Sequence, residues 1–261
     1  MSPPGAPPTV RVGGWTVSLL ELDALYAPLR WVLPHAAEEE TAWLPCHILV
    51  CGRTGEVMLV DAGLGALDGF FDDIAVRTTP LDEGLGRVGC SSGDVSTVVL
   101  THLDPDHAGG VVTGDFPERL RPALPGARVV TLRQDGEMAD HAETVVSALA
   151  AAGSPVEFVD DGTEIVPGLR IRSAPGHRAG HAAVELADAG ERLVFLADVV
   201  HAREHVANPE WDFLHDSEPE VALETRRRLV AELEGSGALV ACSHVDSFGR
   251  IEPGPAWVDI G

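Results

Sequence analysis

The run LTHLDPDHAGG, residues 100–110, sets His102, Asp104, Asp106 and His107 within six positions. Imidazole nitrogens and carboxylate oxygens are the ligands of divalent metals, and a metal so held can activate water and stabilise a developing oxyanion. The cluster follows STVVL, an apolar run that reads as a short buried strand, so the four side chains fall where a strand runs out. Three further apolar runs end on a ligand-type residue: RSAPGH at His177, LVFLAD at Asp198 and LVACSH at His244. A lone histidine after a strand is usually a hydrogen-bonded residue with no ligand role. Four strand ends of this kind in one chain supply seven donors, about what two metals sharing one bridging carboxylate require.

Rigid strands are needed to present such loops together. Strands are expected at WTVSLLEL, CHILVCG, EVMLVDAG, VSTVVLTH, ARVVTL, PVEFVD, LRIRSAPGH, HAAVELA, RLVFLAD and ALVACSH, with RTG as the turn of a hairpin. One helix is expected within 62–94 and another over Met138–Ala152, stopped by Gly153. An amphipathic, core-facing helix is expected over 217–234, with Ser217 as N-cap, Pro219 in its first turn and Gly235–Gly237 ending it. Residues 1–14, rich in Pro and Gly, are expected to be a flexible N-terminal segment, and 15–261 a single domain of layered α/β class.

Composition narrows the partners. The formal net charge is −23 and every one of the 18 basic residues is arginine, which disfavours nucleic acid and anionic membrane surfaces. No run of apolar residues is long enough for a transmembrane span, and no signal peptide is evident, so a cytoplasmic protein is expected. Cys46, Cys51, Cys90 and Cys242 form no CxxC pair and are expected to be reduced thiols. GCSSG (89–93) matches a nucleophile elbow in letters only, because a Gly-rich stretch precedes it and a strand follows. GLGALDG lacks the third glycine of a dinucleotide fingerprint, and there is no Walker A sequence.

In their order, THLDPDHAGG, APGHRAGH, FLADVVH and CSHVDSFGR resemble the metallo-β-lactamase superfamily, over nearly the whole chain from Trp15 to Val258. EVMLVDAGLG looks like that family's early VDTG strand end. The resemblance implies a four-layer αββα sandwich of two mixed sheets flanked by helices, with two divalent metal ions at one edge between the sheets. It implies that His102, Asp104 and His177 hold the first metal, that Asp106, His107 and His244 hold the second, and that Asp198 bridges them. Asp61 would orient a ligand. The family pattern is HxHxDH, whereas this chain reads His102-Leu-Asp104-Pro-Asp106-His107. Three outcomes stay open: Asp104 binds and makes the first position richer in oxygen, it falls short and leaves one tightly held metal, or the site binds none. Zinc is the expected metal, with Mn²⁺ or Fe²⁺ open because of Asp104.

The branch most resembled contains lactonases and organophosphate-hydrolase-like enzymes. The implied activity is ester or lactone hydrolysis of a small molecule by a metal-bound hydroxide, with Asp106 and His201 at the chemistry. His201 would hydrogen-bond substrate, and His181 would support a ligand. Thioesterase and phosphodiesterase activities stay open, as does a non-hydrolytic, cyclase-like or binding role in a biosynthetic pathway. A homodimer is also left open. Loops 29–43, with Trp31 and Trp43, and 203–216, with Trp211 and Phe213, either face substrate or pack on neighbours. His35, His47, His141, His205 and His215 are expected away from the pocket.

Overall fold

The computed structural model describes residues 6–71, 74–135 and 137–260. Its strands in chain order are β1 (Thr9–Val12), β2 (Trp15–Pro28), β3 (Thr41–Arg53), β4 (Glu56–Val60), β5 (Ala75–Thr78), β6 (Val95–Leu100), β7 (Val112–Asp115), β8 (Arg119–Pro122), β9 (Arg128–Leu132), β10 (Val156–Val159), β11 (Glu164–Val166), β12 (Leu169–Ser173), β13 (Ala182–Asp188), β14 (Glu191–Phe195), β15 (Leu239–Ala241), β16 (Phe248–Glu252) and β17 (Ala256–Ile260). The α-helices are α1 (Leu81–Gly86), α2 (Pro105–Ala108), α3 (Asp140–Ala151), α4 (Glu204–Ala207) and α5 (Pro219–Leu233). One sheet runs β1-β2-β3-β4-β6-β9-β10, with β5 paired to β2, and the other runs β11 through β17 in order.

Alternation along the strands builds the layers, because successive side chains leave opposite faces of a sheet. Leu19, Val99 and Val130 face the second sheet, where they meet Val184, Phe195 and Phe248. Their neighbours Leu20, Val98 and Leu100 face outward onto Ala142, Val145 and Leu149 of α3. In the second sheet, Val194 and Val240 face outward onto Leu229, Val230 and Leu233 of α5. Central strands are therefore apolar on both faces, and the result is the expected helix–sheet–sheet–helix order.

Crossovers set where chain ends emerge. β4, β6, β9 and β10 are mutually parallel, as are β14 and β15, which α5 connects. The C-terminal ends of β4, β6, β14 and β15 carry Asp61, the 102–107 cluster, Asp198 and His244. Ligand sites of open α/β sheets form outside such ends.

Three expectations need correction. Residues 1–5 lie outside the described residues, but Thr9–Val12, within the segment expected to be flexible, pairs with β2. Gly13, at φ 56, makes the turn that folds Val12 back onto Trp15. Ser217 does not cap α5: the N-cap is Glu218, with no side-chain cap bond, and Pro219 opens the helix. Ser217 Oγ instead accepts from Arg178 at 3.4 Å. α3 begins at Asp140, two residues later than expected. Strands β5, β7, β8, β11, β16 and β17 were not foreseen. Among the described residues no helix is long and apolar enough to cross a membrane.

Candidate metal centre

β6 delivers the first four donors. Asp104 sits in extended conformation as the N-cap of α2, and Pro105, whose missing N–H costs nothing in a first turn, starts the helix. The helix is pinned to the turn after β4, since Ala62 N donates to His107 O at 2.8 Å and Gly110 N to Gly63 O at 2.8 Å. A Cβ on Gly109 would overlap the Leu64 carbonyl, so only glycine lets the two loops approach this closely. Asp61 adopts φ 64, a left-handed conformation uncommon outside glycine that aspartate tolerates better than most residues.

The seven expected donors converge. His107 Nε2 lies 3.5 Å from Asp106 Oδ2 and 3.4 Å from Asp198 Oδ1. His177 Nε2 and His244 Nε2 lie 3.4 and 3.5 Å from Asp198 Oδ2. His102 Nε2 and His177 Nε2 each lie 3.8 Å from Asp104 Oδ2. These spacings exceed hydrogen-bond lengths and match those of ligands around a shared cation. Among the described residues, His102 Nε2, Asp198 Oδ1 and both ring nitrogens of His201 are buried without a hydrogen-bond partner. Buried polar groups are normally satisfied, so the donor set fits divalent metal.

Each ring is oriented from behind. His107 Nδ1 is 2.8 Å from Asp61 Oδ2, and Asp61 in turn accepts from the Thr101 backbone at 2.8 Å. His177 Nδ1 is 2.9 Å from Asp216 Oδ1, and His244 Nδ1 is 2.7 Å from Pro45 O. Such partners fix the tautomer that leaves Nε2 free to ligate. His181 contributes support: its Nδ1 faces Ala174 O at 2.7 Å while Nε2 accepts from Asp198 N at 3.2 Å.

Charge follows from burial and carboxylates. Burial holds His102 and His177 well below the usual imidazole range. Burial also opposes charge on His107, yet Asp198, Asp106 and Asp61 together hold it well above that range. Asp198 falls well below the carboxylate range because His107, His244 and His201 outweigh its burial. Burial lifts Asp104 to about 6 against the pull of Arg178.

Above the donors lies a cavity of about 580 Å³. Its floor holds Asp104, Asp106, His177, Asp198, His201 and His244, and its apolar wall includes Leu25, Trp31, Leu44, Phe70, Phe71, Ile74 and Phe213. The two loops therefore divide: Trp31 and Phe213 face the cavity, whereas Trp43 packs on Tyr26 with ring centroids 5.2 Å apart and Trp211 on His35 at 5.2 Å. His141 and His215, expected elsewhere, line the cavity. His205 is in α4 rather than a loop, its Nε2 2.6 Å from Val32 O, and His47 Nδ1 is 3.0 Å from Ser243 O. Sequence reasoning missed Arg178, which donates to Asp104, and Asp216, which stands behind His177. Only Arg178 carried a signal, as the charged residue inside the GHRAGH motif.

A family model described as the metallo-beta-lactamase superfamily matches residues 41–244. A curated protein named "Probable metallo-hydrolase" from Mycobacterium tuberculosis (strain ATCC 25618 / H37Rv) is 30% identical over 179 residues, 58% of this chain and 55% of that one. The match thus spans about half the length of that relative. An N-acyl homoserine lactonase of Bacillus sp is 26% identical over 187 residues, 66% of this chain and 70% of that one. Among solved structures, the dizinc quorum-quenching lactonase AidC, in complex with a product, superposes with a TM-score of 0.80 at 20% identity, covering 97% of each chain. That last likeness is one of fold. By the family match across most of its length, the chain belongs to the metallo-beta-lactamase superfamily.

Proposed function

We propose that the chain is a metal-dependent hydrolase that cleaves an ester or lactone bearing an apolar acyl group. The observation that carries this reading is the set of unpartnered buried donors at the floor of a cavity with largely apolar walls. His102, Asp104 and His177 would hold one metal, Asp106, His107 and His244 a second, and Asp198 would serve both. Bound there, divalent metal supplies an activated water and a Lewis acid for the carbonyl oxygen.

The protein's own groups do the rest. Phe213 stacks on the His201 ring with centroids 3.7 Å apart and planes inclined by 13°. Burial pushes His201 down to about 3, so the ring is neutral at pH 7 and offers one N–H. That N–H would donate to the carbonyl or leaving oxygen of a substrate on the cavity floor. Asp106, held between His107 and His244, would orient the attacking water by accepting its hydrogen bond. The walls around Trp31, Phe71 and Ile74 would hold the acyl chain and exclude bulk water. The lactonase relative acts, by its name, on an N-acyl homoserine lactone, and an apolar wall over a polar floor suits that substrate class.

A panel of acyl lactones, aryl esters and phosphotriesters tests the reading. We expect lactone and ester turnover by the metal-loaded protein, loss on chelation, and recovery on restoring Zn²⁺ or Mn²⁺. A fully loaded protein that turns over none of the lactones or esters would overturn it.

A further inference from the structure

Cys46 is a buried nucleophilic group at the centre that the chemistry above leaves unused. β3 is long enough to overhang the C-terminal end of β4, since Val60, the last residue of β4, pairs with Leu49. Cys46 stands on that overhang, 2% exposed, with Sγ 3.6 Å from Asp106 Oδ2. Its sulfur, an Asp106 oxygen and a His244 nitrogen all lie within 4.8 Å of one another. Asp106 Oδ2 is also 3.5 Å from His107 Nε2 and 3.9 Å from His244 Nε2. Donors ~2.0–2.3 Å from one tetrahedral ion stand ~3.3–3.8 Å apart. The sulfur keeps the same spacing from Asp106 as the two imidazoles do. A second observation points to a cation at this place: among the described residues, Asp198 Oδ1, 3.4 Å from His107 Nε2, is buried without a hydrogen-bond partner.

We propose that Cys46 is a further ligand of the second metal position, on its Asp106 and His244 side. This rests on the metal-dependent hydrolase reading. As the sulfur–metal bond forms, the thiol S–H bond breaks, its proton passes to solvent, and no electron changes hands. The consequence is a pair of unlike positions. Thiolate and imidazole make the second position soft, whereas Asp104 makes the first richer in oxygen. The second position therefore retains Zn²⁺ while the first accepts a harder ion such as Mn²⁺ or Fe²⁺.

Cobalt(II) loaded into the metal-stripped full chain tests this without any substrate. Visible d–d bands report binding, and a near-ultraviolet sulfur-to-cobalt charge-transfer band reports thiolate coordination. We expect that band in the unsubstituted protein and in Cys51→Ala, a buried thiol of the inter-sheet core. It is absent in Cys46→Ser and Cys46→Ala, which keep d–d bands and release one proton fewer on loading. Charge transfer that survives both Cys46 substitutions overturns the assignment and leaves the hydrolase reading standing, as does an unsubstituted protein with d–d bands alone. An unsubstituted protein with no cobalt bands overturns both.

Discussion

Asp104 Oδ2 lies 3.8 Å from two imidazole nitrogens and at the same time accepts from Arg178 Nε at 2.8 Å. An aspartate at the position where the family pattern has a neutral histidine adds one negative charge, and Arg178 returns one positive charge. The guanidinium is fixed in place by hydrogen bonds to the His177 and His215 carbonyls. The two residues thus act as one substitution spread over two loops. Asp104→His alone, which restores the family pattern, should lower metal content, because it leaves Arg178 beside a neutral ring and the metals. Arg178→Gln alone should instead destabilise the metal-free protein, leaving Asp104 uncompensated among carboxylates. The Asp104→His/Arg178→Gln double variant should recover metal content, with a coupling of about 1–3 kcal/mol in unfolding free energy. Elemental analysis and denaturant melts of all four proteins check this, and strictly additive single effects would refute the pairing. At this scale the donors were legible because histidine and aspartate at strand ends are rare enough to stand out. Arg178 as the partner of Asp104 was not, since the pairing crosses from one sheet's loops to the other's.

α5 reaches the centre through Arg226, which is 1% exposed although its neighbours Arg227 and Arg228 are exposed. Its guanidinium donates to Val199 O at 2.8 Å, Pro209 O at 2.9 Å and Trp211 O at 2.7 Å, and lies 3.4 Å from Asp216 Oδ2. Asp216 is the group behind His177, so the helix, the 200–216 loop and one proposed ligand form a single hydrogen-bonded unit. Arg226→Met should cost about 3–5 kcal/mol, since a buried carboxylate loses its counter-charge and three carbonyls lose their donor. Arg227→Met should change stability by less than about 0.5 kcal/mol. Chemical denaturation separates the two, and Arg226→Met should also weaken metal binding through Asp216, read by competition with a chromophoric chelator. Equal effects of the two substitutions would refute the unit. Elements were legible where periodicity is strong, as in β6, β12–β15, α3 and α5. The short strands β5, β7 and β8 were not, because half-exposed four-residue ladders carry little apolar pattern. The triplet Arg226–Arg228 reads as a solvated helix face, and only tertiary burial distinguishes its first member.

Across the whole molecule, a chain of net charge −23 that folds around buried neutral histidines should be sensitive to acid. Burial pushes His205 and His47 each down to about 4. A histidine whose folded-state value lies below its unfolded value of about 6.5 stabilises fully above pH 6.5. That contribution is lost as pH falls from 6.5 through about 4, and for His205 it amounts to about 3 kcal/mol at most. Asp23 works in the opposite sense: burial raises it to about 7, so its contribution is present at low pH and lost as pH rises through 7. The Asp23 window runs from about 3.9 to about 7 and overlaps that of the histidines, so two histidines against one aspartate leave their joint contribution rising with pH up to about 6.5. His205→Gln can still donate to Val32 O but cannot take up a proton. The variant should therefore start less stable at pH 7 and lose less on acidification, so that the gap in Tm narrows by pH 4.5. Melting curves of both proteins at pH 7, 6, 5 and 4.5 check this. A gap that stays constant would mean that protonation of His205 plays no part in the acid sensitivity of this fold.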